Sequence, residues 1–300
     1  MKIRFSSILA VACSIFMLAG CCSASKPVKK EMAIQLYSAR DLIGKAEKYA
    51  ESHEEVLKAL AEMGYTSVET ANYKDGLFYG VSPEEFKADV EAAGMTVLSA
   101  HTNKKLSKEE LESGDYSASL AWWDEAIKAH KIAGMKYIVI PSIGFQETVK
   151  NLQTYCEYFN ALGRKCKEAG ISFGYHNHAY EFGKVEDSVV MYDYMLENTD
   201  PEFVFFQMDV YWVVMGKASP VDYFNKYPGR FKILHIKDRK EIGQSGMVGF
   251  DAIFNNAEVG GVEGYVVEVE GCRNEAALGG IRTSAEYLLS APFVKKSYSK

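Results

Sequence analysis

Apolar residues recur along this 300-residue chain in two alternating rhythms. Short β-rich runs such as Tyr137-Ile138-Val139-Ile140 and Val204-Phe205-Phe206 are apolar without interruption, as in strands covered on both faces. They predict strands at 33–38, 67–70, 96–101, 137–141, 172–176, 204–209, 232–235 and 265–269. Between them lie amphipathic runs with helical spacing, for example 54–64 and 83–94. Ser82 before Pro83 is a strong helix start, and Gly64, Gly94, Gly134 and Gly170 each close a helix just before the next strand.

Eight strand–helix units in about 270 residues match the size of a single-domain (β/α)8 barrel, a TIM barrel of the α/β class. A doubly wound open sheet is the runner-up, but neither GxGxxG after a strand nor GxxxxGK[ST] occurs.

Residues 1–20 read as an address. Lys2 and Arg4 precede an apolar stretch from Ile8 to Leu18, too short to span a bilayer as a helix of about 20 residues. Leu18-Ala19-Gly20-Cys21 resembles a bacterial lipobox, which implies lipidation at Cys21. Residues 21–31 then read as a tether and 32–300 as the barrel. Position 22 is Cys rather than Asp, so no inner-membrane retention signal is present, and the expected location is the cell envelope, facing the periplasm. Net charge is −6, and it becomes more negative once Lys2 and Arg4 are removed. With no long basic run, this argues against a nucleic-acid partner. The expected membrane contact is the lipid anchor alone, and assembly into a homo-oligomer stays open. Cys156 and Cys166 fall on one predicted helix, roughly 15 Å apart at about 1.5 Å per residue. That exceeds the ~7 Å a disulfide bridges, so both read, with Cys272, as small core residues.

In a barrel, chemistry sits at the carboxyl ends of the strands. Strand three ends at His101, and strand five runs into Tyr175-His176-Asn177-His178-Ala179-Tyr180-Glu181-Phe182. Strand six ends in Gln207-Met208-Asp209-Val210-Tyr211-Trp212, strand seven in His235-Ile236-Lys237-Asp238, and strand eight offers Glu268 and Glu270. The remaining histidines, His53 and His130, lie in helical patterns and read as solvated.

These segments, in this order, resemble the xylose-isomerase-like barrels, the sugar isomerase/epimerase superfamily that includes type IV AP endonucleases. The likeness runs from Gln35-Leu36-Tyr37-Ser38-Ala39-Arg40 to Ser284-Ala285-Glu286-Tyr287-Leu288. It implies a metal site built from an acid on strand five, Asp on six, His on seven and Glu on eight. Asp209, His235 and Glu268 match three of these. For the fourth, many relatives place Glu where this chain has His176. Either Glu181 folds back to supply the carboxylate, the preferred reading, or His176 coordinates directly.

Such a donor set suits a divalent ion, Mn²⁺ first, with Co²⁺, Mg²⁺ or Zn²⁺ as alternatives. The implied chemistry is isomerisation or epimerisation of a sugar or keto-sugar through a metal-stabilised enediolate. Glu181 removes the proton, Glu268 returns one from the opposite face, and Lys237 adds positive charge near the oxyanion. His101, His176 and His178 contact the substrate, and Trp212 and Tyr37 (with Tyr211) stack on its ring. The same geometry can drive elimination from a 3-keto-glycoside, and a non-catalytic carbohydrate-binding lipoprotein is the third reading. Export favours unphosphorylated sugars. An AP endonuclease is disfavoured because Trp212 stands where that enzyme's additional His ligand is expected. Other residues have plainer expectations: Trp122 and Trp123 as packing, Glu270 as a solvated rim charge pointing away from the site, and loop 243–250 as flexible or ligand-contacting.

Overall fold

Eight parallel strands close on one another in chain order: β1 Ala33–Gln35, β2 Ser67–Thr70, β3 Thr96–His101, β4 Tyr137–Ile140, β5 Ser172–His176, β6 Val204–Asp209, β7 Ile233–Lys237 and β8 Gly264–Glu268, with β8 pairing back to β1. The computed structural model describes residues 29–270 and 277–298. At least one helix packs outside after each strand: α1 Ala46–Glu62, α2 Pro83–Ala92, α3 Ser117–Ile132, α4 Val149–Glu168, α5 Met191–Asn198, α6 Pro220–Lys226, α7 Phe250–Asn255 and α8 Ala277–Ser290. The family-sized (β/α)8 barrel expected from the sequence is therefore the fold. Two short antiparallel pairs, Tyr73–Lys74 with Leu77–Phe78 and Lys184–Val185 with Val189–Val190, extend the loops at the carboxyl ends.

Local chemistry sets the helix ends. The Ser82 hydroxyl accepts from the Glu85 N–H at 3.2 Å, with Pro83 in the first turn, and Thr148 caps α4 through the Asn151 N–H. Gly94, at φ 82°, ends its helix in the left-handed conformation that a side chain disfavours.

Inside the barrel, side chains alternate with period two. Ala33, Val139, Phe205, Ile233 and Val266, with Leu98 and Tyr137, form an apolar plug distinct from the main core between sheet and helices. Gly174 leaves room for this plug, since a Cβ there would meet the Phe205 ring at 2.6 Å. The β2–β3 register slips: Val68 pairs with Val97, but Glu69 pairs with Ser99, so Leu98 is an extra residue on β3. This bulge lets Leu98 join the plug while Ser99 and His101 face inward above it.

Several peripheral expectations change. β1 stops at Gln35, and Leu36–Ala39 forms a 3₁₀ turn that carries Tyr37 to the rim. His130 is fully buried rather than solvated: Nδ1 donates to the Ala126 carbonyl at 2.6 Å and Nε2 accepts from the Thr102 hydroxyl at 2.6 Å. His53 is half-buried and stacks on Tyr49. Trp123 is buried and Trp122 packs against the core. Cys156 and Cys166 are buried free thiols, and burial pushes the Cys156 thiol up to about 12; Cys272 lies outside the described residues. Lys30, assigned to the tether, is buried instead, donating to the carbonyls of Leu288 and Ala291 at 3.0 and 2.6 Å.

Candidate active site

Above the plug, strand register places inward polar residues side by side. Gln35 pairs with Glu69, Gln207 with His176, Asp209 with His235, and Lys237 with Glu268. Two layers result. The lower holds Gln35, Glu69, Ser99 and Gln207, all buried. The upper holds Asp209, His235, Glu268, His176 and Lys237 beneath an open pocket of about 540 Å³. Tyr37, His101, His176, His178, Trp212, Lys237 and Glu268 all line this pocket.

Asp209 is fixed by its chain neighbours. Its Oδ1 accepts from the Trp212 N–H at 2.9 Å, capping the short helix Val210–Met215, and its own N–H donates to Asn177 Oδ1 at 3.0 Å. Its Oδ2 is buried and makes no hydrogen bond. That oxygen lies 3.4 Å from His235 Nδ1 and 3.9 Å from His176 Nε2, while Glu268 Oε2 is 3.7 Å from the same His235 Nδ1. Burial alone would lower the His235 pKa; Asp209 and Glu69 overcome it and lift the imidazole to about 10. Burial and the neighbouring His235 push His176 the other way, well below the ordinary histidine range. For Glu268, His235 and Lys237 outweigh burial and hold the carboxyl below its usual value.

The sequence reading passed over Glu69, which anchors the lower layer. Its Oε1 accepts from Gln35 Nε2 at 2.7 Å and lies 3.2 and 3.3 Å from His101 and His235 Nε2. Its Oε2 accepts from the Ser99 hydroxyl at 2.6 Å and from Gln207 Nε2 at 2.7 Å. Burial raises this acid, yet His101 and His235 bring it down to about 2. The available signal was an acid inside a fully buried strand, Ser67–Thr70, a position that needs charged or hydrogen-bonding partners.

Three predicted donors, Asp209, His235 and Glu268, present ligand atoms within 4.8 Å of one another. His101, His176 and His235 form a second such group. The unpartnered Asp209 Oδ2 and the His235 ring nitrogens, buried without an aligned hydrogen bond, fit a divalent cation. Glu181 is not brought into this cluster. Its Oε1 accepts from the Tyr175 hydroxyl at 2.6 Å and its Oε2 from the His178 N–H at 2.8 Å. Both oxygens thus brace the His178 loop, and burial raises the carboxyl to about 7. Glu270, expected to point away, instead lines the pocket and shares Lys237 Nζ with Glu268, at 2.5 and 2.8 Å. Loop 243–250 is tied back by Asp238, which accepts from the N–H groups of Gly243 and Ser245, and contributes no lining to the pocket.

A family model described as the xylose isomerase-like TIM barrel matches residues 57–291. The chain belongs to that family. Among solved structures, a sugar phosphate isomerase/epimerase from Parabacteroides distasonis is similar at 35% identity and TM-score 0.80, over 91% of this chain and 97% of that one. Among curated proteins, the inosose dehydratase of Geobacillus kaustophilus is 23% identical over 66% of this chain. The match spans 65% of that dehydratase's own length. A 3-keto-D-glucoside 4-epimerase from E. coli shares the fold at 17% identity and TM-score 0.62, over 88% of this chain and all of that one.

Proposed function

We propose that this protein is a divalent-metal-dependent enzyme that moves a proton at the carbon next to a carbonyl in a sugar or keto-sugar, as an isomerase or epimerase. The observation that carries the reading is the convergence of Asp209, His235 and Glu268, from three adjacent strands, beneath the pocket that Glu268 lines. Asp209 and His235 would hold the cation, with Glu268 as the second carboxylate. When bound, the cation supplies polarisation of the carbonyl, which makes the adjacent C–H acidic. Mixed carboxylate and imidazole donors suit Mn²⁺, and each further imidazole moves the preference toward Co²⁺ and Zn²⁺ and away from Mg²⁺.

Glu268 takes or returns the proton from one wall of the pocket. The second proton-transfer position, first assigned to Glu181, falls to His178, which lines the pocket and has a buried Nδ1 with no partner. Glu181 acts behind it by holding the loop. Lys237 keeps a positive charge beside the developing oxyanion. His101 orients substrate hydroxyls, and Trp212 and Tyr37 flank the ring. Lys237 is the one cationic side chain among the described lining residues and is already shared by two carboxylates, which favours an unphosphorylated substrate.

The test is metal content together with solvent deuterium exchange. Protein purified without chelator is expected to hold close to one divalent ion per chain and to incorporate deuterium alpha to the carbonyl of a keto-sugar. Glu268→Gln should abolish that exchange while the protein stays folded; exchange at the parent rate would remove Glu268 from this role. Elimination is the second reading, favoured by the similarity to inosose dehydratases. Release of water, or of an aglycone from a 3-keto-glycoside, in proportion to substrate consumed would select it.

We also propose that the chain is anchored by lipid at Cys21, facing the periplasm. Residues 21–28 lie outside the described part. The support is that Lys29 and Lys30 enter the barrel below β1, at the end opposite the pocket, so an anchor upstream leaves the mouth free. Cys21→Ala should shift the protein from the membrane to the soluble fraction; continued sedimentation with membranes would end this idea.

A further inference from the structure

His176, the last residue of β5, is held by a chain of hydrogen bonds whose direction has only one solution. A buried carboxylate only accepts, and the low-lying Glu69 takes the Gln207 Nε2–H at 2.7 Å on Oε2. The amide of Gln207 therefore cannot be flipped, and its Oε1 faces the other way as an acceptor. Two imidazole nitrogens meet that oxygen: His101 Nε2 at 2.7 Å and His176 Nδ1 at 3.0 Å. An acceptor requires a proton on each. A neutral His176 then carries its hydrogen on Nδ1 and a bare lone pair on Nε2. Nε2 is the atom that lies 3.9 Å from the unpartnered Asp209 Oδ2, too far for a hydrogen bond and suited to two ligands separated by an ion.

We propose that Glu69 and Gln207 form a tautomer relay that turns His176 into the fourth ligand of the cation, beside Asp209, His235 and Glu268. The same relay removes His101 from the ligand set through Nε2, because that nitrogen is spent as a donor to Gln207. Gln35 and Ser99 donate to Glu69 as well, and with His101 and His235 beside Oε1 they keep the carboxylate from rotating. Gln207 and Glu69 are positioning residues in this scheme: neither lines the pocket. The inference rests on the metal reading above, and its test separates the two.

Protein labelled with ¹⁵N-histidine is titrated with Zn²⁺, and the ring nitrogens are followed by long-range ¹H–¹⁵N correlation. The expected result is a His176 ring protonated at Nδ1 before and after loading, with its Nε2 moving on Zn²⁺ addition together with His235 Nδ1. If His235 moves and His176 does not, the cation binds but the fourth-ligand assignment fails. If neither moves, the metal reading itself fails.

Gln207→Met keeps the volume and deletes the relay. It is expected to weaken Zn²⁺ binding about 10–100-fold, the usual cost of losing an outer partner of a ligating histidine, while the His235 shift persists. The double variant Glu69→Gln/Gln207→Glu reverses donor and acceptor between the two positions and leaves an acceptor facing His176. It is expected to bind Zn²⁺ at least tenfold more tightly than Gln207→Met. Equal affinity for parent and Gln207→Met overturns the relay even where the single variant folds poorly, because the wild-type spectra report His176 directly.

Discussion

Lys237 Nζ lies 2.8 Å from Glu268 Oε2, so a buried ammonium rests on one of the carboxylates expected to hold the cation. The two are register partners on β7 and β8. Burial opposes the charge on Lys237, but Glu268 and Asp209 more than compensate and raise its pKa. The ammonium thus competes with a bound ion for Glu268 while supplying charge for the oxyanion. Lys237→Met is expected to leave Mn²⁺ affinity unchanged or tighter and to slow deuterium exchange about 10²-fold. Calorimetric metal titration beside exchange kinetics reads both; a collapse of affinity would mean that Lys237 builds the site instead of serving the reaction.

The two candidate fourth ligands separate by stoichiometry. Glu181 spends both oxygens on Tyr175 and the His178 N–H, so Glu181→Gln should retain the cation and lose activity through the displaced His178 loop. His176→Ala should lower the metal content of purified protein. Elemental analysis of the pair decides, and loss of metal in Glu181→Gln alone would return the carboxylate to the ligand set.

Trp212 lines the pocket with its ring 5.6 Å from that of His178 and 4.9 Å from Tyr211. If it flanks a sugar ring, Trp212→Ala should raise KM roughly 3–10-fold, matching about 0.5–1.5 kcal/mol for an aromatic contact, with little change in kcat. An unchanged KM would place the substrate on another wall.

His130, buried behind the pocket-lining Thr102, makes stability pH-dependent. Burial lowers its pKa from 6.5 to about 4. Between those values the unfolded chain takes up a proton that the folded chain refuses, so this residue erodes stability as pH falls from 6.5 toward 4, by about 3 kcal/mol in full. Above pH 6.5 its contribution is flat. His130→Phe should show a shallower decline over this window in urea unfolding, whatever its stability at pH 7. An identical slope in both proteins would show that other groups control the acid limb.

The alternation of apolar strands with amphipathic helices determined the barrel, because strands covered on both faces must be continuously hydrophobic and helices over them must not be. The strand ends followed from that, which is why His101, His176, Asp209, His235 and Glu268 were legible as a convergent set. Glu69 was not, and neither was the bond that ties Gln207, itself near a strand end, to it. Each sits within a strand, and the side a residue faces depends on register, where a slip of one residue reverses every side chain. The Leu98 bulge is such a slip, and it alone turns Ser99 and His101 toward Glu69. Likewise His176 ends β5 and Glu181 follows it closely in sequence, and only the folded structure shows Glu181 bracing a backbone N–H while His176 meets Asp209. The chain's own pattern chose the scaffold and the chemical types at its mouth. Which atoms face one another was decided by register and hydrogen-bond direction, which exist only once the sheet has closed.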